Sequence, residues 1–279
     1  MTVRAAAVAG TWYPGTRGAL TRQVDDYVNA AADPPPLDVR AVISPHAGIM
    51  FSGPVAAHAY KAAASCRYDV IALVGPSHFV AFDGVVVFPS GAFETPLGLI
   101  QIDEHSVQAL SKASVVQLGT APHAREHSLE MQLPFLARLL PGLPIVPMLM
   151  GFQRRDTILA LAEALTAAFD GRRALLVAST DLSHYFDARE AVVLDGRVER
   201  LVAAFDGEGL LNLFEQYPEH ERGRSVACGG GPAIAVMLAA RGLGATASRV
   251  LRYAHSGDVS GDLSGVVGYL AAAMGVPTS

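Results

Sequence analysis

One local pattern occurs three times in this chain and limits the folds open to it: a short apolar run, then a turn, then a histidine. The runs are AVISPHAG, with His46 at its end, DVIALVGPSHF, with His78, and RRALLVASTDLSHY, with Asp181 and His184. Apolar runs this short, without alternation, suit strands covered on both faces, and such strands belong to parallel sheets flanked by helices. In open α/β sheets the carboxyl ends of the strands line one crevice, so groups remote in sequence can meet there around one ion or substrate. The three endings predict one such crevice.

Between the runs the pattern turns helical. Helices are expected from Arg17 to about Ala31, from Ser52 to Ala64, from Asp103 onward, from about Glu126 to Leu140, from Asp156 to Phe169, and from near Pro232. Residues 188–216 read as two helices hinged at Asp206 and Gly207. GVVVFPS and LGLIQID are expected to form a pair of strands at one side of the sheet, and SRVLRYAHS and SGVVGYLAAAM to be the last two strands. Strand and helix alternate throughout, and the Pro34–Pro36 run is too short for a domain linker. One layered α/β domain over residues 1–279 is the expectation.

Charge and cysteine content narrow the function. With 21 basic and 26 acidic residues the net charge is −5, and no stretch concentrates Lys and Arg as a phosphate-tracking surface requires, so nucleic acid is not an expected partner. No apolar run reaches the roughly 18 residues of a membrane span. The first residues make a poor secretory signal, and two cysteines are too few for a disulfide framework, so a cytoplasmic location is expected.

The candidate chemistry sits at the strand ends and at Cys228. His46 and His78 share one layout and are read as a joint metal site. Cys228 precedes three glycines and Pro232, near a helix amino end that favours thiolate, which can bind metal or attack carbon. Two imidazoles with a thiolate or carboxylate suit Fe(II), copper or zinc. Asp181 and His184 could orient a ligand or move a proton, or Asp181 could simply cap a helix. In REHSLEMQLPF, His127 and Glu130 are three apart on an expected helix and would share a face; with Glu126 they are read as flanking the site or facing substrate, with a structural role equally open. His123 and His127 are four apart, but no Glu follows His123, so the zinc-protease pattern is absent. His58, His105, His220 and His255 have no assigned role.

Taken together, AGTWYPG, SPHAG, AAHAYK, GPSH, REHSLEMQLPF, STDLSHY and CGGGP, in this order, resemble the Memo family, whose bacterial and archaeal members are called AmmeMemoRadiSam system protein B. The resemblance implies a single-domain layered α/β/α fold with a central mixed, mostly parallel sheet, like that of the class III extradiol dioxygenases. It implies metal ligands at His46, His78 and Cys228, iron (Fe2+) as the first expectation with copper or zinc as alternatives, and catalytic roles for His184 and Asp181. The implied activity is redox chemistry of dioxygenase type on an unidentified small molecule. The alternatives are a peptide- or phospho-ligand-binding cleft without catalysis and a cysteine hydrolase with Cys228 as nucleophile. AMMECR1-like and radical SAM proteins are the implied functional associates. The chain departs from the family pattern after PHAG, where Ile49 and Phe51 stand in place of the usual tyrosines.

Overall fold

A computed structural model describes residues 2–278. In chain order the first elements are β1 (Val3–Arg4), α1 (Arg17–Ala30), β2 (Leu37–Ser44), α2 (Ile49–Ala64), β3 (Val70–Pro76), β4 (Val85–Val87), β5 (Ala92–Thr95) and β6 (Gly98–Gln101). There follow α3 (Glu104–Leu110), β7 (Val116–Leu118), α4 (Leu133–Leu139), β8 (Ile145–Met150), α5 (Arg155–Phe169), β9 (Ala174–Ser179) and β10 (His184–Phe186). The last are α6 (Ala188–Ala203), α7 (Gly207–Glu215), α8 (Glu219–Ser225), α9 (Gly230–Gly242), β11 (Ala247–His255), α10 (Gly257–Ser260) and β12 (Val266–Pro277).

The sheet is centred on β2, β9, β3 and β8, which lie side by side in that order and run parallel. Every residue of β3, β8 and β9 is buried, as runs of Val, Ile, Leu and Ala without alternation require. The helices fall on both faces because the chain reverses direction across the sheet. From β2 through α2 to β3 it steps one way; from β8 through α5 to β9 it steps back. Right-handed crossovers then put α2 and α5 on opposite faces. Helices α1 and α4 join α2, and α9 packs beside α5 over β9 and β3. Antiparallel strands flank the parallel core: β12 with β11 outside β2, and β4 outside β8, with β7 running parallel to β4. Among the described residues, no single helix is long and apolar enough to cross a membrane.

Two expectations are corrected. GVVVFPS and LGLIQID do not pair with each other. Their strands β4 and β6 go to different sheets, because the unforeseen β5 pairs with β6 and takes β1 as its other neighbour, while β4 adds to β8. The helix expected over Glu126–Leu140 is confined to Leu133–Leu139, preceded by single 3-10 turns at Ala121–His123 and Glu130–Gln132. Tertiary partners take the backbone groups that a helix would have used: the Arg4 guanidinium binds the carbonyls of His123 and Glu126, and the Glu126 carboxylate accepts the Ser128 N–H.

Candidate metal centre

The site begins with strand register. Ser44 of β2 lies opposite Ser179 of β9, and β9 is also paired to β3 on its other side. His46 and Asp181 each fall two residues beyond those paired serines, and His78 two beyond the end of β3 at Pro76. Three neighbouring parallel strands therefore stop at one level and turn into one crevice, at the place where the crossover direction reverses. Cys228 reaches the same crevice from the loop that opens α9. Its N–H donates to the Asp181 carbonyl at 3.2 Å, the Gly229 N–H to Thr180 Oγ1 at 2.8 Å, and Gln153 bridges the Cys228 carbonyl and the Gly231 N–H at 2.6 and 2.7 Å. The glycines permit this approach: a Cβ at Gly229 would lie 2.3 Å from the Ser179 carbonyl oxygen, and one at Gly231 would lie 2.7 Å from the Met150 sulfur.

His46 Nε2 lies 3.2 Å from Cys228 Sγ, and one ligand atom each from His46, His78 and Cys228 fall within 4.8 Å of one another. The Asp181 N–H also points at the sulfur, at 3.3 Å. His78 gives its backbone N–H and its Nδ1–H to the two oxygens of Glu126, at 2.6 and 2.9 Å, which leaves Nε2 for the thiol side. The His127 ring stacks on His78 at 4.5 Å between centroids, meets the edge of His46 at 5.5 Å, and carries Trp12 at 4.4 Å.

The electrostatics follow from crowding three imidazoles in a mostly buried space. Burial, then the neighbouring His78, His127 and His184, holds His46 well below the ordinary histidine range. Burial, then His78, lowers His127 to about 4. His78 goes the other way: burial opposes its charge, but hydrogen bonds to Cys228 and Glu126 outweigh that and raise it to about 10. Glu126 answers with a pKa of about 2, burial being overcome by the bonds from His78 and the Ser128 N–H. In the metal-free protein His78 is thus an imidazolium paired with the Glu126 carboxylate. Asp181 is pushed up to about 7 by burial, moderated by the N–H groups of His46 and Ala47 that it accepts.

The fold brings His46, His78, Cys228, Asp181, Glu126 and His127 into this one cluster. His184 lies near enough to couple electrostatically to His46, with Nδ1–H bound to the Leu182 carbonyl at 2.7 Å and its pKa lowered by burial. Glu130 does not join them. It is fully buried, and its oxygens are taken by Arg4, the N–H groups of Ala7 and Val8, and the Tyr13 hydroxyl, so it anchors the amino-terminal arm instead of facing substrate. His123 is packed edge-on against Phe88 and Phe93, away from the crevice. Four contributors escaped the sequence reading: Arg4, Trp12, Ser179 and Gln132. Three of them lie inside the motifs AGTWYPG, STDLSHY and REHSLEMQLPF, whose histidines and acids drew the attention.

The donor set fits a transition-metal ion. Two imidazoles that spend Nδ1–H on protein acceptors present Nε2 to an ion, His78 once its second proton has left, and a thiol stands beside them, a combination suited to iron, copper or zinc and poorly suited to magnesium or calcium.

The chain matches the family described as Memo-like protein over residues 4–273. A MEMO1 family protein of Methanothermobacter thermautotrophicus is 36% identical over 278 residues, covering 96% of this chain and 98% of that protein. One from Methanopyrus kandleri is 36% identical over 281 residues, covering 96% and 97%. Among solved structures, an uncharacterized protein from Escherichia coli K12 shares the fold, with a TM-score of 0.57 at 15% identity, covering 85% of this chain and 100% of that one.

Proposed function

The chain belongs to the Memo-like protein family, and from that premise we propose that it binds one transition-metal ion between His46, His78 and Cys228 and uses it in redox chemistry of dioxygenase type. Iron(II) is the first choice of ion, with copper and zinc as alternatives. The observation that carries the reading is the meeting of three ligand atoms within 4.8 Å from segments more than thirty and up to 182 residues apart. Bound there, iron or copper would supply a Lewis acid with redox capacity and zinc a Lewis acid alone, each held by a three-residue ligand set.

The chain's own residues then have separable tasks. Glu126 keeps the proton of His78 on Nδ1 and so directs Nε2 to the centre. Asp181 holds the turn of His46 through its backbone N–H, and its own N–H supports the sulfur. Trp12 and His127 wall one side of it. His184, with Nδ1–H tied to the Leu182 carbonyl, is assigned proton transfer to or from a bound substrate.

The test is metal analysis of anaerobically purified protein, followed by the visible spectrum on adding dioxygen. About one ion per chain is expected, lost in His46→Ala and in Cys228→Ala. Protein that takes up no iron, copper or zinc when loaded with each defeats the proposal.

The 3.2 Å contact between Cys228 Sγ and His46 Nε2 also favours a second reading, a thiol–imidazole hydrolase. Such an enzyme needs N–H groups aimed at a developing oxyanion. Around this thiol the N–H groups of Cys228, Gly229, Gly230 and Gly231 already donate to Asp181, Thr180, Ala227 and Gln153, which weighs for the metal. A trapped acyl-enzyme, formed equally well with chelator present, would reverse the choice.

A further inference from the structure

We propose that Ser179, held by Gln132, is the positioning residue that decides which nitrogen of His46 faces Cys228. The geometry stands by itself; its consequence for metal affinity rests on the metal-centre reading above.

A serine hydroxyl has one hydrogen to give and two lone pairs to offer. Here all three are committed. Ser179 Oγ donates to the Ser128 carbonyl at 2.6 Å, which can only accept. It receives the Gln132 Nε2–H at 2.8 Å and faces His46 Nδ1 at 2.9 Å. The Gln132 amide has no freedom to turn over, because Nε2 also donates to the Pro45 carbonyl at 3.0 Å while Oε1 accepts the Tyr60 hydroxyl at 2.7 Å. Tyr60, Ser128, Gln132 and Ser179 are all fully buried, so water cannot exchange into the network and reverse a donor. Since the Ser179 hydrogen is spent on Ser128, the bond to His46 requires hydrogen on Nδ1. Nε2 is then bare, and it is the nitrogen 3.2 Å from the sulfur.

The chain thus ties the imidazole to α2, to the loop before α4 and to β9 at once. A free imidazole exchanges tautomers readily; this one is held in the form that a cation at the crevice requires. Gln132 and Ser179 are therefore read as part of the centre, although Ser179 reaches only the far nitrogen of His46 and Gln132 reaches it only through Ser179.

The experiment uses full-length metal-free protein carrying 15N-labelled histidine, with tautomers read from long-range proton–nitrogen correlations, and Co2+ as the metal probe. Wild-type His46 is expected as the Nδ1–H form. Ser179→Ala is expected to lose that preference and to bind Co2+ about 10- to 100-fold more weakly, with an unchanged far-ultraviolet circular dichroism spectrum. Ser179→Thr, which keeps the hydroxyl, is expected to restore both. An Nε2–H His46 in the wild-type protein overturns the proposal even if Ser179→Ala does not fold. A folded Ser179→Ala that keeps the Nδ1–H form and wild-type Co2+ affinity overturns it as well. Failure of the metal reading looks different: wild-type protein that takes up no metal while His46 still carries its hydrogen on Nδ1.

Discussion

Replacing Glu130 with Gln should release the amino-terminal arm from the body of the protein. Glu130 and Arg4 form an ion pair with side chains 0% and 2% exposed, and the carboxylate serves four donors: Arg4 and the Ala7 N–H on Oε2, the Val8 N–H and the Tyr13 hydroxyl on Oε1. An amide cannot satisfy that set, because whichever way it turns its NH2 group confronts two donors. The guanidinium also loses its buried counter-charge. Breaking one partner of a buried pair costs about 3–5 kcal/mol, a factor of roughly 10^2.2 to 10^3.7 in the docking equilibrium. That is a large share of the roughly 5–15 kcal/mol that holds a typical domain together. Trp12 is the sole tryptophan, it sits on the arm, and its ring lies 4.4 Å from His127, so its fluorescence reports docking directly. Urea titrations followed in parallel by tryptophan emission and far-ultraviolet circular dichroism should show one of two patterns. Either both midpoints drop together, or the emission shifts red at low urea while the helical signal persists, the arm leaving before the sheet unfolds. A Glu130→Gln protein with the wild-type emission maximum and both wild-type midpoints would refute the assignment of Glu130 as the anchor.

Acid sensitivity offers a further check through His123, whose pKa burial lowers to about 4. A histidine depressed on folding binds fewer protons in the native state than in the unfolded one, so its penalty is absent above about pH 6.5 and grows as pH falls toward 4. His123→Phe should reduce the stability difference between pH 7 and pH 5 by about 2 kcal/mol, measured by urea unfolding at the two pH values; an unchanged difference would show that His123 is not held neutral. Gly229→Ala puts a Cβ 2.3 Å from the Ser179 carbonyl, so it should push Cys228 out of line and weaken Co2+ binding at least about 10-fold. Retained affinity in a Co2+ titration would mean that the start of α9 can shift without disturbing the ligands.

The sequence by itself determined the layered architecture and the convergence at strand ends, because both depend on local chemistry. Unbroken apolar runs such as VIALVGP and ALLVAS can be stable only between two covering layers, and a turn after each run delivers its polar residues to the same edge. Cys228 was legible for the same reason, since three glycines and Pro232 after it place it near a helix amino end. Tertiary structure alone decided what each polar group does. His127 and Glu130 carry the spacing of a shared helical face, yet they part, because Arg4, more than a hundred residues away, claims the carbonyls of His123 and Glu126 and the Glu130 carboxylate. Strands β4 and β6 both lie in apolar stretches and go to different sheets, β4 to β8 and β6 to β5, which the stretches alone do not specify. The tautomer of His46 rests on Tyr60, Ser128, Gln132 and Ser179, four residues that are unremarkable in a linear reading. Hydrogen-bond saturation is a property of atoms brought together in space, and no spacing along the chain encodes it.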